Sequence, residues 1–360
     1  MLRVLFCGGG SVGHLAPSIS VWEALQAKRE DVSCLFVCSG EREDRVFLRN
    51  LRVPSFPIHA PKWQYAWQFL FFPLLFPLAC LEALLILLWF RPHVIFAKGG
   101  YVSVPLCLMG WLSFRPIVLH ESDRIMGRAN RLLVRLSRHL CIGTPQKELA
   151  NGTLTARIGL PVTATGNPIR QEILSGSKDG GQRVTGFSGK RPVLLVTGGS
   201  QGAQALNEAV WGNLEEFLTF CDIIHLTGRG KLKPEKKHAR YFQREVVYEE
   251  LWNLFALADV VLSRAGAGAI AELSALGKAT IFVPLPDLAH RHQEENAHFL
   301  EVAQAVIVLP QEKLKQELVP TVKSLLQDEG KRSTLGERFR TFAVSDAASR
   351  IANVLLETVR

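Results

Sequence analysis

Short apolar runs that end in glycine or polar residues recur along the chain and predict the strands of a parallel sheet. Near-continuous apolar patterning is typical of strands buried on both faces, whereas half-exposed strands alternate. Residues 17–28 (PSISVWEALQAK) instead repeat apolar positions at helical spacing. The order strand, loop, helix, strand predicts an α/β domain with helices on both faces of its sheet. The runs are LRVLFCGGG (2–10), VSCLFVCSG (32–40), PHVIFAKGG (92–100) and PIVLHES (116–122).

The same order of elements restarts near residue 192 and predicts a second α/β domain. We place the boundary at TGNPIR (165–170) and predict domains over residues 1–165 and 166–342, with parallel sheets facing across a cleft. A helix at about 343–360 is expected to pack back on the first domain. The Gly- and Ser-rich residues 173–190 are expected to form a surface loop or linker. The second set of runs is RPVLLVTGGSQGAQALNEAV (191–210), CDIIHLTGRG (221–230), ADVVLSRAGAGAIAELSALG (258–277) and ATIFVPLP (279–286).

Residues 63–90 (WQYAWQFLFFPLLFPLACLEALLILLWF) interrupt this pattern with an apolar segment whose one charge is Glu82. The segment is long enough to span a bilayer, which takes about 20 apolar residues. Pro73 and Pro77 are expected to break a helix midway, and a glutamate is costly in hydrocarbon. We favour insertion into one leaflet over a buried core helix or a true transmembrane span. The flanking tryptophans and cations suit a lipid headgroup region; they are Trp63, Trp67, Trp89, Lys62, Arg91, Lys98 and Arg115.

Composition and charge narrow the choice of partners without fixing it. The apolar fraction of 48% and charged fraction of 21% describe a globular chain, and the net charge of +9 favours an anionic partner. Nucleic acid, acidic lipid and a phosphorylated substrate all fit that charge. The 7 cysteines form no C-x-x-C pair, so we expect reduced thiols and no zinc or redox site. The N-terminus lacks the pattern of a signal peptide.

The first glycine loop, GGGSVGH (8–14), has the chemistry of a phosphate site. Glycines after a strand bring backbone N–H groups close to a ligand, and the following helix adds the positive end of its dipole. The spacing is not G-x-G-x-x-G, so a plain tight turn remains an alternative. A helix start disfavours the cationic form of His14, and a neutral imidazole can act as a general base. A histidine that only hydrogen-bonds the loop is the other interpretation.

Two further loops in the second half repeat this chemistry. Residues 198–202 (GGSQG) offer amides and the Ser200 hydroxyl to a phosphate. Residues 263–273 (SRAGAGAIAEL) place small residues before a helix that carries Glu272, whose carboxylate can hold two ribose hydroxyls or can be a solvated or capping group. The sequence has no Asp-x-Asp pair to hold a divalent cation. We therefore expect backbone amides, helix dipoles and Arg170 or Arg264 to stabilise the negative charge of a leaving diphosphate.

Two polar clusters complete the candidates. HESD (120–123) ends a predicted strand, which is the edge where ligands of open parallel sheets lie. Four polar groups there form either a site or a water-lined loop. HRHQEEN (290–296) contains His-x-His, but no further ligands follow at metal spacing, so we discount zinc.

Taken together and in this order, these segments resemble the MurG family. The resemblance covers residues 8 to about 297, nearly the whole chain. It implies the GT-B architecture of two Rossmann-like domains. It also implies transfer of N-acetylglucosamine from UDP-N-acetylglucosamine to the undecaprenyl-pyrophosphoryl-muramyl-pentapeptide, with inversion, in peptidoglycan synthesis that supports cell shape and division. The segments are GGGSVGH, KGGYVSVP, HESD, GRAN, TGNPIR, GGSQGAQALN, SRAGAGAIAEL, FVPLP and HRHQEENA.

The resemblance also implies roles for individual residues. His14 is similar to the family's candidate base, and Ser11, Val12 and Gly13 to its acceptor-diphosphate loop, with Glu121 and Asp123 expected on the acceptor side. Arg170, Ser200, Gln201 and Arg264 are expected at the donor diphosphate. Tyr248 is expected at the uracil, Glu272 at the ribose, and Gln293 and Asn296 at the sugar hydroxyls. Ala267, Gly268, Ala269, Ile270 and Ala271 form the loop beneath the nucleotide.

The resemblance implies partners and location as well. The protein is expected to be peripheral on the cytoplasmic side of the cell membrane, with the inner leaflet as partner and no nucleic acid. No resident cofactor or metal is implied, and dependence on a divalent cation stays open. Val12 and Asp123 depart from residues common in the family, which leaves the acceptor side least certain. A UDP-sugar 2-epimerase or diacylglycerol glycosyltransferase of the same fold, or a non-catalytic membrane scaffold, are the alternatives.

Overall fold

The computed structural model describes residues 1–9, 12–62, 71–144, 159–286 and 291–359, apart from the side chains of Val12, His14 and Glu43. It divides into two compact units. The first domain consists of Met1–Ile169 together with Val344–Arg360, and the second domain is Arg170–Ala343. The chain thus leaves the first domain once and returns to it at its C-terminus.

In the first domain, helices follow most strands. The described strands form one parallel sheet in the order β3-β2-β1-β4-β5-β6-β7. The elements are β1 (Leu2–Cys7), α1 (Val12–Lys28), β2 (Val32–Ser39), α2 (Arg42–Asn50), β3 (Ser55–Ile58), α3 (Phe72–Phe90), β4 (Val94–Ala97), α4 (Ser103–Leu112), β5 (Ile117–Glu121), α5 (Arg128–Leu133), a 3₁₀ turn (Val134–Leu136), β6 (His139–Ile142) and β7 (Val162–Ala164).

The second domain repeats the plan with the order β10-β9-β8-β11-β12-β13 in its described sheet, again parallel. Its elements are a 3₁₀ turn (Gln171–Ser175), α6 (Lys178–Thr185), β8 (Val193–Thr197), α7 (Gln204–Gly212), α8 (Leu214–Phe220), β9 (Asp222–Leu226), β10 (Tyr241–Arg244), α9 (Leu251–Leu257), β11 (Val260–Ser263), α10 (Ala267–Leu276), β12 (Ala279–Phe282), α11 (His292–Val302), β13 (Ile307–Val308), a 3₁₀ turn (Gln311–Lys313), α12 (Leu314–Gln327) and α13 (Glu329–Arg340). The last helix, α14 (Ala347–Thr358), packs on α1 in the first domain.

The apolar runs become strands because both faces of each sheet are covered. Phe6 on β1 and Phe36 on β2 stack with ring centroids 4.8 Å apart, and both side chains are buried. On the other face Leu5 packs with Ile95 and Leu119 beneath α3 and α4. A strand with apolar neighbours above and below gains from every side chain, which is why the runs do not alternate.

Helix α1 begins at Val12 and continues through Pro17, so His14 lies at a helix start, as the sequence predicts. Two other local expectations from the sequence are wrong. Helix α3 runs unbroken to Phe90: Pro73 lies in the first turn, where its missing N–H has no helical partner to lose, and Pro77 forfeits one bond, to the carbonyl of Pro73.

The second concerns residues 173–190, which were expected to be a surface loop or linker and instead contain helix α6. Ser177 caps this helix by accepting a hydrogen bond from the amide of Gly180 at 3.0 Å. Gly180 and Gly181 are buried against α9, where a Cβ on Gly181 would lie 2.5 Å from the carbonyl oxygen of Asn253. The glycines therefore serve close helix packing, which composition alone does not distinguish from a flexible segment.

Candidate functional site

The loops at the carboxyl edge of the second-domain sheet gather most of the predicted donor residues. Chain order reverses at β8, so β9 lies on one side and β11 on the other. Thr197 at the end of β8 pairs in register with Leu226 of β9, and Ser263 of β11 pairs with Thr197. The loops that follow these strands therefore share one edge at a topological switch point, where open α/β sheets bind ligands.

The loop after β8 is shaped by glycines in contact with the loop after β9. Gly202 has φ of 67°, and a Cβ there would lie 2.0 Å from the carbonyl oxygen of Thr227. The carbonyl of Ser200 accepts a hydrogen bond from the amide of Arg229 at 3.2 Å, and the carbonyl of Gln201 accepts one from Lys231 Nζ at 2.7 Å. The basic segment 229–231 thus holds this loop by its carbonyls. Ser200 is half-buried and Gln201 is exposed.

Helix α10 presents an open N-terminus at the same edge. Gly266 precedes it with extended backbone (φ −73°, ψ 144°) and offers no side-chain cap. A Cβ built on Gly266 or on Gly268 would meet no atom within 4 Å. The first amides of a helix lack partners within it and carry the positive end of its dipole, so this terminus suits an anion or a polar ring. Residues 267–271, which were expected to form a loop, are instead the first turns of this helix, because the extended backbone ends at Gly266; residues 269–271 are half-buried.

Arg170 and Glu272 form an ion pair within the second domain. Arg170 donates from Nε and Nη2 to Oε1 of Glu272, at 3.0 and 2.9 Å. Both side chains are mostly shielded, with 30% and 20% exposed. The sequence predicts separate contacts for them, one to a diphosphate and one to a ribose. The structure brings the two groups together in one ion pair.

Arg264 has structural contacts that the sequence did not indicate. Its side chain is buried, and Nη1 donates to the carbonyl oxygens of Val283 and Pro284 at 3.0 and 3.1 Å. Its Nη2 donates to Oε1 of Gln311 at 2.6 Å. Burial lowers the pKa of this guanidinium. Arg264 therefore holds the segment that follows β12 through Nη1 and the 3₁₀ turn after β13 through Nη2.

The remaining predicted donor residues lie on the elements around this edge. Tyr248 follows β10, and its hydroxyl accepts a hydrogen bond from Arg229 Nη2 at 2.8 Å. Gln293 and Asn296 lie on α11, which comes after β12. Gln293 Oε1 accepts from the amide of Leu285 at 3.0 Å, and the buried Asn296 donates to the carbonyl of Ala265 at 3.4 Å.

On the acceptor side the structure describes only part of the predicted first loop. Ser11 lies outside the described residues, as do the side chains of Val12 and His14, while Gly13 is exposed. The backbone places His14 in the first turn of α1.

Glu121 is a buried carboxylate that folds the loop following β5. Its Oε1 accepts the amide of Asp123 at 3.0 Å, and its Oε2 accepts the amide of Gly127 and Nδ2 of Asn130, each at 2.9 Å. Burial raises the pKa of Glu121, and the nearby Asp123 raises it further. These bonds engage both oxygens of Glu121 within the protein. Asp123 is half-buried.

Lys98 and His120 form a cluster in the first domain that the sequence did not identify. Lys98 was expected near lipid, but its side chain is only 4% exposed, so that expectation is wrong. The strand β4 carries it into the sheet edge beside β5. Its Nζ lies 2.8 Å from Nδ1 of His120 and also hydrogen-bonds Oγ of Ser122. The sequence contained one signal for this cluster. The segments KGG and HES each stand at the end of a strand, and these two strands are neighbours in the sheet.

Helix α3 exposes an apolar stripe to solvent. Ala79, Ala83, Ile86 and Leu87 face the first-domain core, and Glu82 Oε1 pairs with His59 Nδ1 at 2.7 Å. Within the described ranges, α3 is the one helix long and apolar enough to cross a membrane by length and composition. The outward positions repeat at three and four residues, and exposed side chains at the end of α4 adjoin them. We call these residues the apolar stripe: Leu74, Leu78, Leu81, Leu85, Leu88, Trp89, Trp111, Leu112 and Phe114.

In the described part of the chain, no three His, Cys, Asp or Glu side chains converge to hold a metal ion. His290 of the His-x-His segment lies outside the described residues.

Similarity to characterised families spans both domains. Residues 4–141 match the glycosyltransferase family 28 N-terminal domain, and residues 193–351 match its C-terminal domain. The UDP-N-acetylglucosamine–N-acetylmuramyl-(pentapeptide) pyrophosphoryl-undecaprenol N-acetylglucosamine transferase of Lachnoclostridium phytofermentans is 35% identical over 364 residues, covering 100% of this chain and 99% of that protein. Transferase 2 of Bacillus cereus, which carries the same name, is 33% identical over 348 residues, 95% of this chain and 94% of its own length.

Solved structures with the same fold belong to proteins of several different activities. The Acinetobacter baumannii MurG crystal structure matches with a TM-score of 0.73 at 20% identity, covering 99% of this chain and 100% of that one. A UDP-GlcNAc 2-epimerase from Neisseria meningitidis, bound to UDP-GlcNAc, matches with a TM-score of 0.71 at 14% identity, covering 99% and 100%. A calicheamicin glycosyltransferase also matches, with a TM-score of 0.70. At these identities the likeness establishes the fold alone. These structures together confirm the predicted GT-B architecture.

Proposed function

Because the chain belongs to glycosyltransferase family 28, and within it to the MurG family, we propose that it transfers N-acetylglucosamine from UDP-N-acetylglucosamine to a lipid-linked muramyl pentapeptide, converting lipid I to lipid II. The enzyme is an N-acetylglucosaminyltransferase of peptidoglycan synthesis. The observation that carries this function is identity of 33–35% to transferases of that name over nearly the full length of both partners.

On the donor side, we assign the nucleotide sugar to the carboxyl edge of the second-domain sheet. The open N-terminus of α10 and the amides of the Ser200 loop supply positive potential for the diphosphate. Glu272 accepts the ribose hydroxyls, and Arg170, already paired with it, offers a guanidinium to the phosphates as they arrive. Gln293 and Asn296 on α11 are assigned to the sugar hydroxyls, and Tyr248 to the neighbourhood of the uracil. Arg264 acts by holding the segment after β12.

On the acceptor side, His14 is the proposed general base. Its place in the first turn of α1 favours the neutral imidazole, because the helix dipole opposes a cation there. The imidazole removes the proton from the C4 hydroxyl of the muramyl sugar as that oxygen bonds to the anomeric carbon. The bond from the anomeric carbon to the UDP oxygen breaks on the opposite face, so the configuration inverts. Ser11, Val12 and Gly13 are assigned to the acceptor diphosphate.

The membrane is the proposed source of the acceptor, and the apolar stripe on α3 and α4 is the proposed contact. Exposed apolar side chains that share one helix face mark an interaction site, whereas singly scattered ones do not. Glu82 pairs with His59 on the side of α3 that faces the protein, which leaves the outward face free of charge for a leaflet. Insertion to the depth of one side-chain layer on the cytoplasmic face suits an enzyme whose acceptor carries a polyprenyl chain.

The direct test is an assay with labelled UDP-N-acetylglucosamine and a short-chain analogue of the lipid acceptor. We expect label in a lipid-linked disaccharide and stoichiometric UDP. Glu272→Gln should raise the KM for the UDP-sugar at least tenfold, while Glu301→Gln, an exposed glutamate of the same domain, serves as the matched control. Formation of a 2-epimer, transfer to diacylglycerol alone, or failure to bind UDP would each contradict the proposal.

A further inference from the structure

Lys98 is a buried cation for which the assignments above provide no task. It directly follows β4, at the switch point of the first-domain sheet where chain order reverses between β1 and β4. Its side chain is 4% exposed. Lysines are rarely buried to this extent unless partners compensate the charge, because transfer out of water strongly disfavours the ammonium.

The partners of Lys98 lie on β5 and on the loop that follows it. Nζ donates to Nδ1 of His120 at 2.8 Å and hydrogen-bonds Oγ of Ser122. Because Nδ1 accepts, the ring carries its proton on Nε2, which donates to the carbonyl of Gly166 at 3.1 Å. Burial and the Lys98 charge keep the pKa of His120 well below its usual value. The imidazole is therefore a neutral bridge, and positive charge in the cluster lies on Lys98 when its amine is protonated.

Residues 121–130 run from the end of β5 into the first turn of α5, and we call them the loop 121–130; two of their carboxylates, on Glu121 and Asp123, interact electrostatically with Lys98. Glu121 and Asp123 both act to raise the pKa of Lys98, whereas burial lowers it, to about 7. Glu121 in turn gathers the amides of Asp123 and Gly127, as described above. The carbonyl of Ser122 accepts hydrogen bonds from Thr144 Oγ1 and Asn167 Nδ2, each at 3.0 Å. The loop is thus fixed at Ser122 from β4, from the segment after β6 and from the segment after β7.

We propose that Lys98 is a positioning residue for the acceptor: its ammonium holds Ser122 and balances Glu121 and Asp123, so that the loop 121–130 keeps the conformation in which it takes the lipid-linked substrate. The proposal rests on the proposed function for its substrate. The hold of Lys98 on the loop rests on geometry alone. Lys98 does not touch the reacting atoms and acts through the loop.

Electrostatics give the reason why a lysine is needed. Without the ammonium, two carboxylates remain close together at a shielded edge, and removal of one partner from a buried charge cluster leaves the others uncompensated. Either a carboxyl takes up a proton or the loop opens to water. Both changes weaken the hydrogen bonds from the amides of Asp123 and Gly127 to Glu121.

The test compares Lys98→Met with Lys278→Met in the full-length protein. Lys278 is a matched control because it is a shielded lysine of the second domain, with its Nζ bonded to the carbonyls of Ala256 and Ala258 at 3.2 and 2.7 Å. Amide hydrogen exchange is followed over residues 121–130, and initial rates are measured with each substrate varied in turn. Affinity for UDP, measured by calorimetry, reports on the second domain.

In Lys98→Met we expect amide exchange over 121–130 to accelerate at least tenfold and the acceptor KM to rise at least fivefold, with UDP affinity within twofold of the parent. Lys278→Met should leave exchange in this loop unchanged. If Lys98→Met does not fold, Lys98→Gln, which keeps a donor without the charge, should give the same signs. Unchanged exchange in the loop, or equal increases in both KM values, would overturn the proposal. A parent that lacks transferase activity overturns the proposed function, whereas the exchange data still decide the role of Lys98.

Discussion

At the residue scale, the burial of Lys98 in the first domain has a consequence for the pH dependence of stability. Four titratable groups interact with it: His120 and Glu121 on β5, Asp123 after that strand, and Cys141 on β6. Its pKa of about 7 lies below the usual 10.5, so between these pH values the unfolded chain binds a proton that the native chain has lost. Stability contributed by this site therefore rises with pH across the window from about 7 to 10.5.

Substitution of Lys98 by Met should remove that dependence. In urea unfolding of the full-length protein, we follow the first-domain transition. As pH rises from 7 to 9, we expect the free energy of unfolding of the parent to increase relative to that of Lys98→Met, by up to roughly 1 kcal/mol per pH unit. Lys278→Met gives the reference for a buried lysine elsewhere. A constant difference between parent and Lys98→Met over this range contradicts the assignment of the low pKa to Lys98.

His14 is the residue whose loss should affect the rate most. General base catalysis typically contributes 10²-fold or more, so His14→Ala is expected to lower kcat by at least that factor and to leave UDP affinity unchanged. His298→Ala, an exposed histidine of α11, is the control. Turnover by His14→Ala within about threefold of the parent would remove His14 as the base.

At the scale of elements, the sequence predicted the strands and the parallel sheets of both domains better than the helices. Apolar runs followed by glycine specify a buried parallel strand almost by themselves, since few other structures bury both faces. Helix α6 was missed because glycines that admit a neighbouring helix look like glycines of a loop.

Pairs of residues that are far apart in the chain could not be predicted from the sequence, for a different reason. Arg170 and Glu272 are 102 residues apart, and no local pattern specifies that they meet. Lys98 was placed near lipid because it follows the apolar segment in the chain. The sequence does not show that its side chain points into the first domain. The candidate site was therefore predictable as loops at sheet edges, whereas the pairings within it required the fold.

Helix α3 gives a prediction about membrane binding. Leu81 and Leu85 are 53% and 58% exposed, and burial of a leucine side chain is worth about 1.5–3 kcal/mol. Leu81→Gln combined with Leu85→Gln should weaken co-sedimentation with anionic vesicles at least tenfold. Leu132→Gln combined with Val302→Gln alters two other exposed apolar residues and should leave vesicle binding unchanged. Equal binding by both double variants would contradict the proposed contact.

A buried hydrogen-bond chain connects α7 to the strands that follow it. Trp211 Nε1 donates to the hydroxyl of Tyr241 at 2.9 Å, and that hydroxyl donates to Nδ1 of His225 at 2.9 Å. His225 Nε2 donates to Oδ1 of Asn207 at 3.0 Å, and Asn207 Nδ2 donates to the carbonyl of Thr227 at 2.8 Å. Burial lowers the pKa of His225 to about 3, so the chain keeps one direction at neutral pH.

Asn207→Leu should break this chain and disturb the Ser200 loop. It leaves Nε2 of His225 and the Thr227 carbonyl without their Asn207 partner, and each buried unpaired group costs about 1–3 kcal/mol. We expect the midpoint of thermal unfolding to fall by roughly 4–8 °C, and the KM for UDP-N-acetylglucosamine to rise, because Gly202 packs on Thr227. Thr219→Val on the exposed side of α8 is the control. Unchanged stability and KM would show that the chain does not support the loop.

At the scale of the whole molecule, each domain repeats one plan and gives it a different use. The second-domain edge offers open amides and an ion pair for a soluble nucleotide sugar. The first domain combines a glycine loop, a carboxylate-rich loop balanced by Lys98, and an apolar stripe, which together suit a substrate that is anionic at one end and lipidic at the other. This division fits a transferase that draws its substrates from water and from membrane.

The most direct measurement for this account is a crystal structure of the full chain soaked with UDP-N-acetylglucosamine. We predict the nucleotide sugar at the carboxyl edge of the second-domain sheet, with its diphosphate between the Ser200 loop and the start of α10, and its ribose on Glu272. Density for the nucleotide at any other place would contradict the account.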